Sequence, residues 1–319
     1  MVPRDPAVVR RLHAMARQLR PEPEPAAASP KPAGQGRFIE PGRDNTNQVM
    51  LAHSLALALP KTELHLHLDG SITPNFICRA AERRGIELPP EAELPALIDD
   101  LRSGDAKARP GDGHKTQEAG KNWGIFDWMN QFLQSAWELE EGTKTLMESL
   151  AEDNVRYAEI RFCPELHRLD GLSLEEIVDA VCKGLAAGVA ATGGAIRGGV
   201  IICALRSYPS SHSLEHAQLA KAFLERGVLA FDIAGDEHYE LAIHEESLRY
   251  CAEQGVPFTV HGGEVMAEAN PKAMLPNLKL ALDLGAARIG HGFALCQDDA
   301  LMQRAAEQGV TIEVCLPIW

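Results

Sequence analysis

The chain has 319 residues, 45% of them hydrophobic, which is enough for one large α/β barrel or two ordinary domains. Its formal net charge of −14 argues against nucleic acid or an anionic membrane surface as a partner, while leaving room for a single small nucleotide. No apolar run is long enough to span a bilayer. The seven cysteines are scattered and odd in number, which indicates free thiols in a reducing compartment and favours the cytoplasm.

The first 50 residues differ in composition from the rest of the chain. Residues 6–20 are basic and could form an amphipathic helix, and the segment that follows is rich in Pro, Ala and Gly. We expect residues 1–50 to be a disordered extension, with an organelle-targeting peptide as the alternative. Residues 51–319 are then the folded domain.

Strand-like and helix-like segments alternate from about residue 51 onward. The predicted strands cover 62–68, 155–162, 198–205, 228–234, 257–262, 287–292 and 310–316. Helical patterns between them cover 173–190, 214–227, 245–255 and 299–309. Repeated β-then-α units predict a closed (β/α) barrel, with an open doubly wound sheet as the second choice. The sequence has neither G-x-G-x-x-G after the first strand nor G-x-x-x-x-G-K-[ST], which disfavours the dinucleotide and P-loop folds.

The segment from 69 to 154 breaks this rhythm, because it is long and mainly helical. It contains a polar stretch over 103–121 and then five aromatic residues, Trp123, Phe126, Trp128, Phe132 and Trp137. Aromatic residues at helical spacing usually belong to a core. An insertion after a barrel strand lies at the catalytic mouth, however, so we predict a lid over residues 123–132.

The first strand carries polar residues at alternate positions in the sequence "ELHLHLDG". His65, His67 and Asp69 should share one face, since side chains alternate along a strand. A solvent-facing polar edge is the simpler interpretation, but two imidazoles and a carboxylate in register are typical of a metal site.

Polar residues recur where later strands end. His261 closes the fifth strand and Glu264 follows it, His291 ends the sixth, and the segment 234–237 ("AGDE") ends the fourth. Catalytic groups of barrels come from the carboxyl ends of several strands. Three histidines there could bind Zn²⁺ and leave a position for water, and a nearby glutamate could carry a proton.

The motifs "LPKTELHLHLDGSI", "FDIAGDE", "TVHGGE" and "RIGHG" resemble those of the adenosine deaminase family of zinc amidohydrolases. The resemblance runs from about residue 59 to 315 with all motifs in order. It implies a (β/α)₈ barrel that deaminates a purine hydrolytically with one Zn²⁺. It also implies that His65, His67 and His261 are metal ligands, that Glu264 protonates purine N1, and that His291 orients and helps to deprotonate the attacking water.

The same resemblance implies the contacts of the substrate. Asp69 would bind the ribose 5′-hydroxyl, Gly235 would donate its N–H to purine N3, Phe126 would line the lid, and His67 would also line the substrate site. Family members for adenine tend to carry Glu at the Asp69 position, and those for N6-methyl-AMP tend to carry Asn. Aspartate therefore favours adenosine or 2′-deoxyadenosine, in purine nucleoside metabolism, and it would repel a phosphate. Other purines remain the alternatives.

One family element has no counterpart in the sequence given. The family places an Asp-Asp pair at the end of the eighth strand, as a zinc ligand and a substrate contact, and no Asp follows the seventh strand here. Asp298 and Asp299 precede that strand and should cap a helix. We therefore expect little deaminase activity from residues 1–319 alone. The alternative class is a non-catalytic relative that binds a purine nucleoside or a protein partner, and oligomeric state is left open.

Overall fold

The computed structural model of the chain describes residues 54–103, 124–264 and 271–315. These residues contain seven parallel strands, β1 (Lys61–His67), β2 (Val155–Phe162), β3 (Arg197–Leu205), β4 (Val228–Ala234), β5 (Thr259–Gly262), β6 (Arg288–His291) and β7 (Thr311–Glu313). Neighbours in sequence are neighbours in space: β1 to β4 form one run and β5 to β7 another. An isolated parallel bridge between Phe231 and Phe258 joins the two runs. The strands therefore build the wall of a (β/α) barrel.

Helices connect the strands, as parallel pairing requires. Four of them follow β1, namely α1 (Pro74–Arg84), α2 (Leu94–Ser103), α3 (Gly124–Asn130) and α4 (Ala136–Glu152). The later connections contain α5 (Leu174–Ala191), α6 (Ser210–Phe223), α7 (Glu245–Gln254), α8 (Leu275–Asp283) and α9 (Asp299–Glu307). No helix among the described segments is long and apolar enough to cross a membrane.

Local sequence signals set the ends of several helices. Ser135 and Ser173 each begin a helix with a capping box, in which the serine and the glutamate three residues later satisfy each other's backbone N–H. Asp298 caps α9 by accepting a hydrogen bond from the N–H of Leu301 at 2.9 Å. The prediction that Asp298 caps a helix is confirmed.

The predicted order of strands is confirmed, while some bounds were wrong. The last strand ends at Glu313 instead of 316, and α6 covers 210–223 where 214–227 was predicted. The larger correction concerns β1, which ends at His67. Asp69 lies in a single 3-10 turn, Leu68–Gly70, where the chain leaves the sheet for the inserted helices. Strand alternation therefore applies to the two histidines and not to Asp69.

The strands bury apolar side chains on one face and charged side chains on the other, since neighbouring positions of a strand alternate. Apolar side chains of the strands, such as Ile160, Ile202 and Phe231, are fully buried. Arg161 on β2 and Asp232 on β4 have no exposed surface. Buried charges are tolerated only when paired, so these residues must find partners across the barrel.

β1 and β7 are the two outer strands of the described sheet. A groove of about 290 Å³ lies between them, lined by residues 62–65 and 311–315. Side chains bridge this groove, because His65 on β1 contacts Glu313 on β7. The groove therefore opens directly beside the histidine cluster described next.

Candidate active site

Four histidines meet at the carboxyl ends of β1, β5 and β6. The rings of His65 and His67 lie 5.3 Å apart between centroids, and His261 lies 4.6 Å from His65 and 5.2 Å from His67. Ligand atoms of these three residues all lie within 4.8 Å of one another, and the two Nε2 atoms of His67 and His261 are 3.2 Å apart. The three histidines named from the sequence are thus brought to one point and could hold a metal ion together.

Buried carboxylates fix the orientation of two of these imidazoles. His65 donates from Nδ1 to Glu313 Oε2 at 2.8 Å, and His261 donates from Nδ1 to Asp232 Oδ2 at 3.0 Å. Because each Nδ1 carries the proton, each Nε2 keeps a lone pair that a metal can accept. The donor set and its tautomers therefore suit a cation such as Zn²⁺, and the residues present fit that group.

One arginine connects the two carboxylates. Arg161 donates to Asp232 Oδ2 at 3.0 Å and to Glu313 Oε2 at 2.7 Å, and it also donates to the backbone oxygen of Leu64 at 2.7 Å. Arg288 approaches Glu313 from the other side, with 2.9 Å between its Nε and Oε1. This network was not predicted from the sequence. The sequence feature that indicates it is a charged residue inside each of three apolar strands, "EIRF", "FDIA" and "TIEV".

Three of the four histidines have a pKa well below the usual value, so they are neutral at neutral pH. Burial, partly opposed by the hydrogen bond to Glu313, lowers the pKa of His65 to about 4. Burial and the neighbouring His261 lower the pKa of His291 to about 2, and the same causes hold the pKa of His67 well below its usual value. Neutral imidazole is the form that ligates metal ions and accepts hydrogen bonds.

His291 and Cys315 form a second cluster that shares His65. Ligand atoms of His65, His291 and Cys315 lie within 4.8 Å of one another. Burial raises the pKa of the Cys315 thiol to about 11, so the sulfur is protonated at neutral pH. His291 has a φ of 67°, a conformation that non-glycine residues rarely adopt and that is often found at functional sites.

Glu264 lies beside this cluster at the end of a tight turn. Its Oε1 is 3.9 Å from His291 Nε2, and 43% of its side chain is exposed. The turn passes through Gly263, whose φ is 71° and whose added Cβ would lie 3.0 Å from the backbone N of Ala294. Glycine is therefore required there, and the turn carries Glu264 to the same mouth as the histidines.

Asp69 is buried at the end of β1 with one oxygen lacking a partner. Its Oδ1 has no hydrogen-bond partner among the described residues, and the residue is 5% exposed. Burial, together with the negative charge of Asp127, raises the pKa of this carboxyl to about 7. A buried oxygen without a partner is a position where a ligand can supply the missing hydrogen bond.

The aromatic segment reaches the site at one residue. Phe126 packs edge-on to His67, with ring centroids 6.0 Å apart, and its ring touches the position of Gly70. Phe132 is instead fully buried, and Trp128 packs against the core. Trp123 lies outside the described residues. Among the members of this set that the structure describes, Phe126 is therefore the one in contact with a site histidine.

One close approach beside the cluster depends on glycine. A Cβ on Gly290 would lie 2.9 Å from Cε1 and 3.3 Å from Nδ1 of His65. The absence of a side chain at Gly290 therefore lets β6 support the His65 ring directly. Gly235 follows the end of β4 and has a φ of 96°, a backbone conformation that residues with a side chain rarely adopt.

Comparisons with known proteins agree with this geometry. A family model described as adenosine deaminase matches residues 60–317. An adenosine deaminase of Haemophilus ducreyi is 33% identical over 260 residues, which cover 79% of this chain and 70% of that protein. Among solved structures, an adenine deaminase from Arthrobacter aurescens is 27% identical with a TM-score of 0.62, covering 81% of this chain and 72% of that one.

A more distant structure shares the fold. An amidohydrolase from Burkholderia ambifaria, solved with bound Zn, is 22% identical with a TM-score of 0.65 and covers 81% of this chain and 66% of that one. The match of the family model extends over most of the barrel described above, and the Haemophilus relative exceeds 30% identity over most of this chain. The chain belongs to the adenosine deaminase family.

Proposed function

We propose that the chain binds one Zn²⁺ and deaminates adenosine or 2′-deoxyadenosine with water, which yields the inosine nucleoside and ammonia. Membership of the family supports a hydrolytic deaminase. The substrate is the finer part of the proposal, because relatives of known structure include an adenine deaminase. A soluble purine nucleoside is then the partner, and the cytoplasm remains the predicted compartment.

His65, His67 and His261 would hold the metal through their Nε2 atoms. Support comes from the carboxylates on the Nδ1 atoms of His65 and His261 and from the 3.2 Å between the Nε2 atoms of His67 and His261. Zn²⁺, when bound, supplies a water of lowered pKa as the nucleophile near neutral pH.

Glu264 and His291 would move and orient the protons of the reaction. The exposed Glu264 carboxyl lies at the mouth and can donate a proton to the purine ring nitrogen N1. The buried and neutral His291 can accept a hydrogen bond from the attacking water and so direct its lone pair toward C6. Gly235 would donate its N–H to purine N3, and Phe126 would give the base an apolar wall near His67.

The observation that carries the choice of a nucleoside is Asp69. Its buried Oδ1 lacks a partner within the part of the chain that the structure describes, and Asp127 adds negative charge nearby. A sugar hydroxyl would donate the missing hydrogen bond, whereas a phosphate would meet two carboxyl groups. Adenosine is therefore favoured over adenosine monophosphates, and over free adenine, which has no hydroxyl to offer.

The experiment compares four purines on the zinc-loaded chain. Loss of absorbance on deamination is followed with adenosine, 2′-deoxyadenosine, adenine and N6-methyl-AMP at equal concentration. We expect the two nucleosides to have the highest kcat/KM, and Asp69→Ala, which removes the acceptor oxygen, to lower it for them by about 10- to 100-fold, as for a lost hydrogen bond to a charged group. A higher kcat/KM for adenine or N6-methyl-AMP would overturn the substrate assignment.

A non-catalytic nucleoside-binding protein is the second candidate. The observation in its favour is the groove of about 290 Å³ between β1 and β7, which His65 of the described histidine cluster helps to line. Calorimetric binding of adenosine without formation of inosine in the zinc-loaded chain would select this candidate over the enzyme.

A further inference from the structure

Two buried charged side chains hold the turn that carries His261 and Glu264. Arg206 follows the end of β3 and is 1% exposed, and Glu237 follows the end of β4 and is 4% exposed. Neither belongs to the groups to which a role has been given above. Burying an ionised side chain is costly, so each must be held there by strong partners.

Glu237 accepts hydrogen bonds from two successive backbone N–H groups of the turn. Its Oε2 accepts from the N–H of Gly263 at 2.7 Å, and its Oε1 accepts from the N–H of Glu264 at 2.7 Å. Hydrogen bonds to an ionised acceptor are short and about twice as strong as neutral ones. The carboxylate therefore fixes the peptide plane from which the Glu264 side chain projects.

Arg206 holds the other end of the same turn. It donates to the backbone oxygen of His261 at 2.6 Å and to that of Tyr239 at 3.1 Å. Since Tyr239 belongs to the same loop as Glu237, the arginine ties this loop to the turn. The Arg206 cation thus binds the carbonyl of His261, and the Glu237 carboxylate binds the N–H groups of Gly263 and Glu264. Together they hold both ends of the segment 261–264.

We infer that Glu237 is a positioning residue, which sets the direction of the Glu264 carboxyl relative to His291 and the histidine cluster. The 3.9 Å between Glu264 Oε1 and His291 Nε2 exceeds hydrogen-bond distance, and much of the Glu264 side chain is exposed. Glu237 holds Glu264 through the backbone N–H of that residue. The inference rests on the proposed function, in which Glu264 donates the proton to the purine.

The test is Glu237→Gln, which keeps the size of the side chain but directs an amide NH₂ against one backbone N–H. Glu138 provides a matched control, since it is 2% exposed and its Oε2 accepts from the N–H groups of Gln134 and Ser135, both at 2.9 Å. Glu138→Gln should disturb a buried carboxylate that also holds two backbone N–H groups, and that pairs in addition with Arg84, away from the histidine cluster.

In the zinc-loaded chain we expect Glu237→Gln to lower kcat by about 10- to 100-fold, as for a catalytic group displaced by about 1 Å, with KM and zinc per chain nearly unchanged. The kcat of each variant is expressed relative to that of the wild-type chain, so the comparison needs only a measurable wild-type turnover. Amide hydrogen exchange in a peptide covering residues 258–264 should become faster in Glu237→Gln and not in Glu138→Gln. Glu237→Asp, which keeps the charge with a shorter reach, should recover part of the lost kcat.

Several outcomes separate the possibilities. Equal losses of kcat in Glu237→Gln and Glu138→Gln would reduce Glu237 to a structural role and overturn the inference. So would faster exchange in the turn with kcat within threefold of wild type. An active wild type is required for both comparisons. A zinc-loaded wild type that deaminates none of the four purines would instead overturn the proposed function, and the assigned role of Glu237 with it.

Discussion

Replacing Arg161 with methionine should weaken zinc binding, although it removes a positive charge from the neighbourhood of the metal. Arg161 contacts Asp232 and Glu313 at 3.0 and 2.7 Å, and each carboxylate orients one metal-site histidine. Loss of one such outer partner typically costs 10- to 100-fold in metal affinity. Since one residue supports two partners, we expect about a 10²- to 10⁴-fold rise in the zinc dissociation constant, or about 3–5 kcal/mol.

A purely electrostatic view predicts the opposite sign. Removing a guanidinium close to a divalent cation would relieve Coulomb repulsion and tighten binding. The two accounts are separated by measuring the zinc dissociation constant by competition with a chelating indicator, at a pH where the histidines are neutral. A dissociation constant within threefold of wild type, or a lower one, would refute the orienting role of Arg161.

Two further variants keep this measurement interpretable. Arg288→Met also removes a guanidinium from Glu313, but the other carboxylate partner of Arg288 is Glu159 and not Asp232. We expect at most about a tenfold effect there, because only one histidine is concerned. Arg161→Met itself leaves two buried carboxylates short of a partner, which typically costs about 3–5 kcal/mol of stability. If that variant does not fold, Arg161→Lys should still show intermediate zinc affinity, because lysine keeps the positive charge but lacks the planar guanidinium with its several donors.

Three smaller perturbations test other parts of the site. Gly290→Ala should displace the His65 ring, since the new Cβ would lie 2.9 Å from Cε1, and should lower zinc affinity and destabilise by about 1–3 kcal/mol in urea unfolding. In Co²⁺-substituted protein we expect no intense thiolate-to-cobalt absorption band; such a band, lost in Cys315→Ser, would place the ion in the cluster of His65, His291 and Cys315. Burial lowers the pKa of His167 to about 4 against about 6.5 when unfolded, so stability should fall between pH 6.5 and 4 by about 3 kcal/mol from this residue. His167→Asn, whose amide can still donate to Leu133 O, should flatten that pH dependence, and an unchanged slope would contradict the assignment.

Sequence patterns predicted the parts of the site that are set by strand position. Alternation on β1 places His65 and His67 on one side, and the ends of parallel strands meet at one edge, so His261 and His291 could be expected there. The same reasoning failed for Asp69, because period-2 alternation says nothing about where a strand stops. Its burial results from the turn at Leu68–Gly70, which a local pattern does not determine.

The supporting layer was missed for a different reason. Arg161, Asp232 and Glu313 lie on three strands separated by 71 to 152 positions along the chain. A charged residue inside an apolar strand signals a buried partner, but the sequence does not say which partner the curvature of the barrel brings close. Glu237 lies in the polar segment 234–237 noted from the sequence, but its role was not predicted because its partners are backbone N–H groups, which have no residue identity to recognise.

The balance of charge beneath the histidines leads to one last prediction. The connected layer contains two arginines and three carboxylates, a formal charge of minus one, and the members are Arg161, Arg288, Asp232, Glu159 and Glu313. A divalent cation would find the negative field of this layer beneath the three imidazoles, and His65 and His67 are neutral. Zinc should therefore stabilise the folded chain, by about 2.7 kcal/mol at 100 times its dissociation constant. Chelator-treated protein should have a lower Tm that rises with added Zn²⁺ but not with Mg²⁺, which prefers oxygen ligands and retains its waters. An equal shift with both ions would mean that charge alone, and not the imidazole set, binds the cation.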